Sequence, residues 1–181
     1  MKITISGRAG SGKSTVAKIV AKKLKLRHYS MGDMQRQIAG EKGISMLELG
    51  KIEEKNPEFD EYIDDFQRNL GREDNFIVDS RLGFHFIPSS IKIFLDVSLK
   101  EGAHRIFNQL REYEKYNTSL ENTEKKIVER EKSEIQRYKK YYGIKHFDKK
   151  NYDFVIDTTY LSPEEIVEKI IKFCMEKKRK L

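Results

Sequence analysis

Residues 7–14 read Gly7-Arg8-Ala9-Gly10-Ser11-Gly12-Lys13-Ser14, which satisfies Gly-x-x-x-x-Gly-Lys-Ser at every fixed position. A chance match in a chain of this length is on the order of 1 in 100 or less. The flanks narrow the fold further. Lys2 to Ser6 reads as a short buried strand, and Val16, Ala17, Val20, Ala21 and Leu24 share one face of a helix running from Lys13 to about Leu24. Strand, glycine loop and helix in that order make a phosphate-binding P-loop. The glycines let successive backbone N–H groups converge on an anion, and the helix N-terminus adds positive potential. The bland alternative is a plain glycine turn before a helix.

The pattern assigns an ATP site to Gly7, Arg8, Ala9, Gly10, Ser11, Gly12, Lys13, Ser14 and the adjoining Thr15. Lys13 is expected to reach the β- and γ-phosphate oxygens, and the Ser14 hydroxyl to ligate Mg²⁺.

The rest of the chain alternates strand and helix. Strands are expected at Leu26–Ser30, Phe76–Asp79, Ile91–Asp96 and Asp153–Ile156. A helical stretch runs from about Met31 to Arg72, with a capping box at Ser45-x-x-Glu48 and a helix start at Asn56-Pro57. Further helices are expected from Ser98 to about Arg111, from Ser119 to Tyr142 with Gly143 as the stop, and from Ser162 onward. Such alternation specifies an α/β fold, a parallel sheet with helices on both faces in three layers. The charged helical stretches read as insertions over the sheet's carboxyl edge, where such folds bind ligands.

Composition excludes some classes. The chain carries 36 Lys and Arg against 29 Asp and Glu, a net charge of +7 that suits an anionic ligand. These charges are mixed rather than blocked, and Glu176-Lys177-Lys178-Arg179-Lys180 reads as a solvated helix end, so no nucleic-acid partner is expected. The single Cys174 sits in the apolar stripe Ile166, Ile170, Phe173 and reads as a core side chain in a reducing compartment. The histidines His28, His85, His104 and His146 fall at no zinc-ligand spacing. No secretory signal is legible, and no apolar run approaches the roughly 20 residues of a membrane span. A cytoplasmic protein without a membrane partner is expected.

Three further segments resemble the nucleoside monophosphate kinase family, above all its archaeal-type cytidylate kinase branch. Ser30-Met31-Gly32-Asp33-Met34-Gln35-Arg36 resembles the acceptor-site signature, Phe76-Ile77-Val78-Asp79-Ser80-Arg81 the second phosphate-site strand, and Arg130 to Arg137 the lid. The resemblance implies a five-stranded sheet and a single domain. Its core would comprise residues 1–30, 75–111 and 151–181, with an acceptor-binding insertion at about 31–74 and a lid at about 112–150. It implies that Ser30, Gly32, Asp33, Arg36, Arg81, Arg130, Glu134 and Arg137 hold the monophosphate, and that Arg105 packs on the ATP base. Lys13, Arg81, Arg130 and Arg137 would be catalytic, with Asp79 near Mg²⁺ through water. Glu134 sits where the branch places an acidic residue near cytosine, which implies CMP or dCMP as acceptor, AMP standing second. A monomer acting on small nucleotides is expected.

Each residue also has an ordinary reading. Arg36 can be a solvated charge, Asp79 an Asx turn, and Arg130–Glu134 a surface salt bridge. Two departures from the family pattern stand out. Gln109 occupies a position where a second cation is usual, leaving Arg111 or Lys132 to compensate, and Leu82-Gly83-Phe84-His85-Phe86 offers aromatics to reshape the base pocket. A P-loop kinase for a non-nucleotide metabolite and an adenylate-kinase-like ATPase acting in ribosome assembly are the rival classes.

Overall fold

Strand β1 (Lys2–Gly7) leads through the glycine loop into α1 (Lys13–Leu24) and β2 (Arg27–Ser30). Three helices follow: α2 (Met31–Glu41), α3 (Met46–Glu53) and α4 (Glu58–Leu70). Then come β3 (Phe76–Asp79), the one-turn α5 (Gly83–Phe86), β4 (Ile91–Asp96) and α6 (Leu99–Asn108). The long α7 (Leu120–Tyr142), a 3-10 turn at Lys149–Asn151, β5 (Phe154–Asp157) and α8 (Pro163–Arg179) complete the fold. The computed structural model describes residues 1–56, 58–109 and 119–179, the side chains of 58–60 excepted.

The five strands run in the order β2-β3-β1-β4-β5, and every pairing is parallel. The P-loop strand is therefore central, flanked by β3 and β4, and its loop leaves at the switch point where α/β sheets bind ligands. Side chains alternate across the strands. Ile3, Ile5, Ile77, Ile93 and Leu95 point to one face and pack with Val16, Val20, Ile166, Val167 and Ile170 of α1 and α8. Phe76 and Val78 point to the other, beneath Met31, Ile63, Phe84 and Phe86. Each such apolar side chain contributes about 2 kcal/mol by leaving water. Cys174 is fully buried in the first cluster, and burial pushes its thiol up to about 12.

Capping explains why the charged stretch after β2 breaks into pieces. Ser30 accepts the Asp33 N–H at 3.2 Å to start α2, and Ser45 and Glu48 close a full capping box on α3. Pro57, the expected first residue of the next helix, lies outside the described residues. Helix α6 stops at Asn108, short of the expected Arg111, because Gln109 is already extended; Arg111 lies outside the described residues. Gly143 ends α7 in the left-handed conformation. Among the described residues no helix is long and apolar enough to cross a membrane.

Candidate functional site

The glycine loop is built to face an anion. Gly12 caps α1 at φ 84°, and no side chain bonds the first-turn N–H groups, which are left to a ligand. Gly10, at φ 75°, lies so close to α6 that a Cβ there would sit 2.2 Å from the Gly102 carbonyl oxygen. Inside the loop, Lys13 Nζ donates to the Arg8 carbonyl at 2.8 Å, as does Ser11 Oγ at 2.8 Å. Burial, and next the Arg81 charge, hold the Lys13 pKa well below its usual value. An anionic ligand would offset both by favouring the charged form.

Asp79, at the carboxyl end of β3, is almost fully buried and gathers three partners. Its Oδ1 accepts from Ser14 Oγ at 3.1 Å and from Ser30 Oγ at 3.2 Å, and its Oδ2 lies 2.9 Å from His28 Nε2. The expected metal pair, Ser14 and Asp79, is thus in direct contact.

Above the loop opens a cleft with a cavity volume of about 120 Å³. Ala9, Gly10, Gly12, Lys13, Ser14 and Thr15 line its floor. Gly32 and Arg36 of α2, Asp79 and Arg81 after β3, Arg105 of α6 and Arg130 of α7 converge on it from separate elements. Arg81 Nη1 donates to the Gly7 carbonyl at 2.5 Å and its Nε to Glu134 Oε2 at 2.8 Å. Arg130 Nε donates to the other Glu134 oxygen at 3.1 Å. Burial works against the Arg81 charge, but the Glu134 carboxylate outweighs it and raises the pKa. The same two guanidiniums overcome burial at Glu134 and push its carboxyl far down.

Apart from Arg105, which lines the cleft, the remaining predicted residues lie beside it. Gly7 ends β1, Ser11 is fully buried, and Ser30 caps α2. Arg8 turns outward to Asp96 at 3.1 Å and Glu131 at 2.5 Å, with its guanidinium 4.7 Å from the Phe147 ring centre. Asp33 pairs with Arg36. Arg137 is buried against Glu53 and the Gly50 carbonyl, in a smaller recess between α3 and α7 that Glu134 also lines. Arg105 holds the β5–α8 loop through the Thr158 carbonyl at 2.8 Å.

The aromatics expected to reshape the base pocket do something else. Phe84 and Phe86 sit on α5 and turn into the second core cluster, leaving only Leu82 of that segment in the cleft wall. Gln109 reaches the cleft without a charge, and Lys132 is exposed on α7 outside it.

Sequence reasoning missed His28, Thr158, Asp64 and Gln67. His28 stands two residues before Ser30 on β2, so strand alternation was the one signal that placed it on the same face. Thr158 hydroxyl donates to the Asp96 carbonyl at 2.8 Å, and no motif marks it. Asp64 and Gln67 line the cleft from α4, where their spacing looked like any polar helical face.

The model of the cytidylate kinase-like family matches residues 2–160. A cytidylate kinase of Methanothrix thermoacetophila is 41% identical over 158 residues, 87% of this chain and 88% of that relative. One of Sulfurisphaera tokodaii is 38% identical, with 98% of each chain covered. Among solved structures, a shikimate kinase of Acinetobacter baumannii superposes with a TM-score of 0.61 at 17% identity, over 98% of this chain and 94% of that one, a likeness of fold alone.

Proposed function

The chain belongs to the cytidylate kinase-like family, and on that footing we propose that it transfers the γ-phosphoryl group of ATP to CMP or dCMP, giving CDP or dCDP. It is a phosphotransferase, and its relatives support a nucleoside monophosphate kinase. The observation that carries the finer reading is the convergence of Arg36, Arg81, Arg105 and Arg130 with Lys13 on one cleft.

Two nucleotides repel each other as their phosphates approach, and the protein's part in phosphoryl transfer is in-line positioning and charge stabilisation. The P-loop N–H groups and Lys13 hold the donor phosphates, and Arg105 lies where the donor base packs. Arg36 grips the acceptor phosphate, aided by Gly32, whose missing side chain leaves room beside the guanidinium. Arg81 and Arg130, both held by Glu134, face the transferring group, where guanidiniums suit phosphate oxygens. No general base is needed, since the acceptor phosphate is itself a nucleophile. The Ser14 hydroxyl and the buried Asp79 carboxylate form a hard oxygen pair that fits Mg²⁺, Asp79 acting through water. Bound there, the ion supplies charge neutralisation on the phosphates. Helices α2–α4 form the acceptor-binding insertion, and α7 is the lid.

The test is a coupled turnover assay with ATP and, separately, CMP, dCMP, UMP, AMP and shikimate. CMP and dCMP should give the highest kcat/KM. Turnover of shikimate alone, or ATP hydrolysis indifferent to every monophosphate, would overturn the reading.

A further inference from the structure

The phosphate chemistry leaves two polar side chains of the cleft without a task. Asp64 and Gln67 stand three residues apart on α4, hence on one helical face, and both line the cleft. They are 4% and 1% exposed. Polar groups so deeply buried cost about 1–3 kcal/mol unless matched. Gln67 Oε1 accepts the Ser80 hydroxyl at 2.5 Å, and the same Ser80 oxygen accepts the Leu82 N–H at 3.2 Å. That fixes the carboxamide with its oxygen toward the strand. The NH₂ group is the end of the carboxamide that Ser80 does not hold. Asp64 accepts the Tyr142 hydroxyl through Oδ2, and a carboxylate offers about four acceptor positions.

An acidic side chain in a cleft made for anions is misplaced against a phosphate. It suits the uncharged part of a nucleotide. We infer that Asp64 and Gln67 read the acceptor base, selecting an edge on which an exocyclic amine stands beside a ring-nitrogen acceptor. Cytosine presents that order: Asp64 accepts from the C4 amine, and the Gln67 NH₂ donates to N3. Uracil reverses both positions, setting a carbonyl against the carboxylate and an N–H against the amide donor. Adenine shares the amine–acceptor order, so this pair separates amino bases from oxo bases and leaves ring size to the apolar walls, Ile63 and Tyr138. The inference rests on the monophosphate kinase reading and sharpens it. It moves base discrimination from Glu134, whose oxygens are each held by an arginine, to α4.

The experiment uses the full chain with a non-hydrolysable ATP analogue and measures the binding of CMP, UMP and AMP by calorimetry. Asp64→Asn keeps an acceptor for Tyr142, and Gln67→Glu keeps one for Ser80, so both variants preserve these two contacts. Each should shift the CMP-to-UMP affinity ratio toward UMP by about tenfold or more, with ATP-analogue affinity unchanged. Combined, they should favour UMP. If the wild type separates CMP from UMP and both variants keep that ratio, the base is read elsewhere and the kinase reading stands. If AMP is the preferred acceptor and Asp64→Asn erodes it, the CMP assignment falls while the amine reader stands. A wild type that prefers UMP, or that binds no monophosphate, overturns the inference, and the latter overturns the kinase reading with it.

Discussion

Arg81 Nε lies 2.8 Å from Glu134 Oε2, and this contact ties the segment after β3 to the middle of α7 across the mouth of the cleft. Arg130 occupies the other oxygen of the same carboxylate, so two guanidiniums share one anion. The network keeps a positive charge in surplus, turned toward the P-loop, before any substrate arrives. Preset charge of this kind stabilises a developing phosphate charge without reorganisation during the reaction. It also fixes Arg81 against the P-loop strand, because its Nη1 donates to the Gly7 carbonyl at 2.5 Å.

Lys13→Ala should leave the fold intact and lower phosphoryl transfer about 100-fold or more. Burial and the Arg81 charge lower the Lys13 pKa, Asp79 and Glu134 oppose them, and a bound phosphate would add to that opposing side. Purified mutant that retains more than about a tenth of wild-type turnover would show that Lys13 does not act on the transferred group.

Arg36→Ala should raise the KM for the monophosphate about tenfold or more and leave that for ATP near its wild-type value. Arg36 reaches the cleft from α2, away from the glycine loop, and its paired Asp33 is half exposed, so little stability is at stake. The opposite kinetic pattern would place Arg36 in the donor site.

The fold and the glycine loop were legible because their residues are bound to local pattern. The P-loop needs its glycines in sequence, and capping residues such as Ser45 and Glu48 act within one helical turn. The charge network was legible only in outline. Arg130 and Glu134 face each other one turn apart, yet that Arg81 completes the set depends on the fold bringing the segment after β3 to α7, over 53 residues of separation. Glu53 and Arg137 are 84 residues apart, and nothing local predicts their burial together. Phe84 and Phe86 were misjudged because the one-turn helix α5, which no periodicity announces, rotates them into the core.

Arg130 and Arg137 therefore separate in their expected effects, although both lie on one face of α7. Arg130→Ala should lower kcat strongly with little change in ATP affinity, since it lines the cleft. Arg137→Ala strips the buried Glu53 of its guanidinium and should cost about 3 kcal/mol of unfolding free energy. The pair Arg137→Met with Glu53→Met should recover most of that loss. Denaturant unfolding of the variants decides the point. An Arg137→Ala protein as stable as wild type, yet inactive, would return Arg137 to the transferring phosphate.

His146 supplies the final prediction. Its side chain is 1% exposed, and neither ring nitrogen has a hydrogen-bond partner among the described residues. The ring packs instead on Phe147 at 3.9 Å and Tyr138 at 4.9 Å between centroids. Burial is the main cause that lowers its pKa from 6.5 to about 4; Glu134 opposes the shift, while Arg81, Arg137 and Arg8 add to it. A proton therefore binds the unfolded chain more readily than the folded one. Stability from this residue is fully present above about pH 6.5 and is lost as pH falls toward about 4, by up to about 3 kcal/mol. His85, lowered by burial and by Arg68, acts with the same sign. Glu134, also depressed, keeps its contribution until pH falls below the unfolded carboxylate value of 4.5, so it does not confuse the upper window. The Tm should therefore drop between about pH 7 and about pH 5. His146→Phe keeps the aromatic stacking and removes the titrating group, so it should flatten most of that drop without lowering the Tm at neutral pH. A variant with the same pH slope as the wild type would mean that another group carries it.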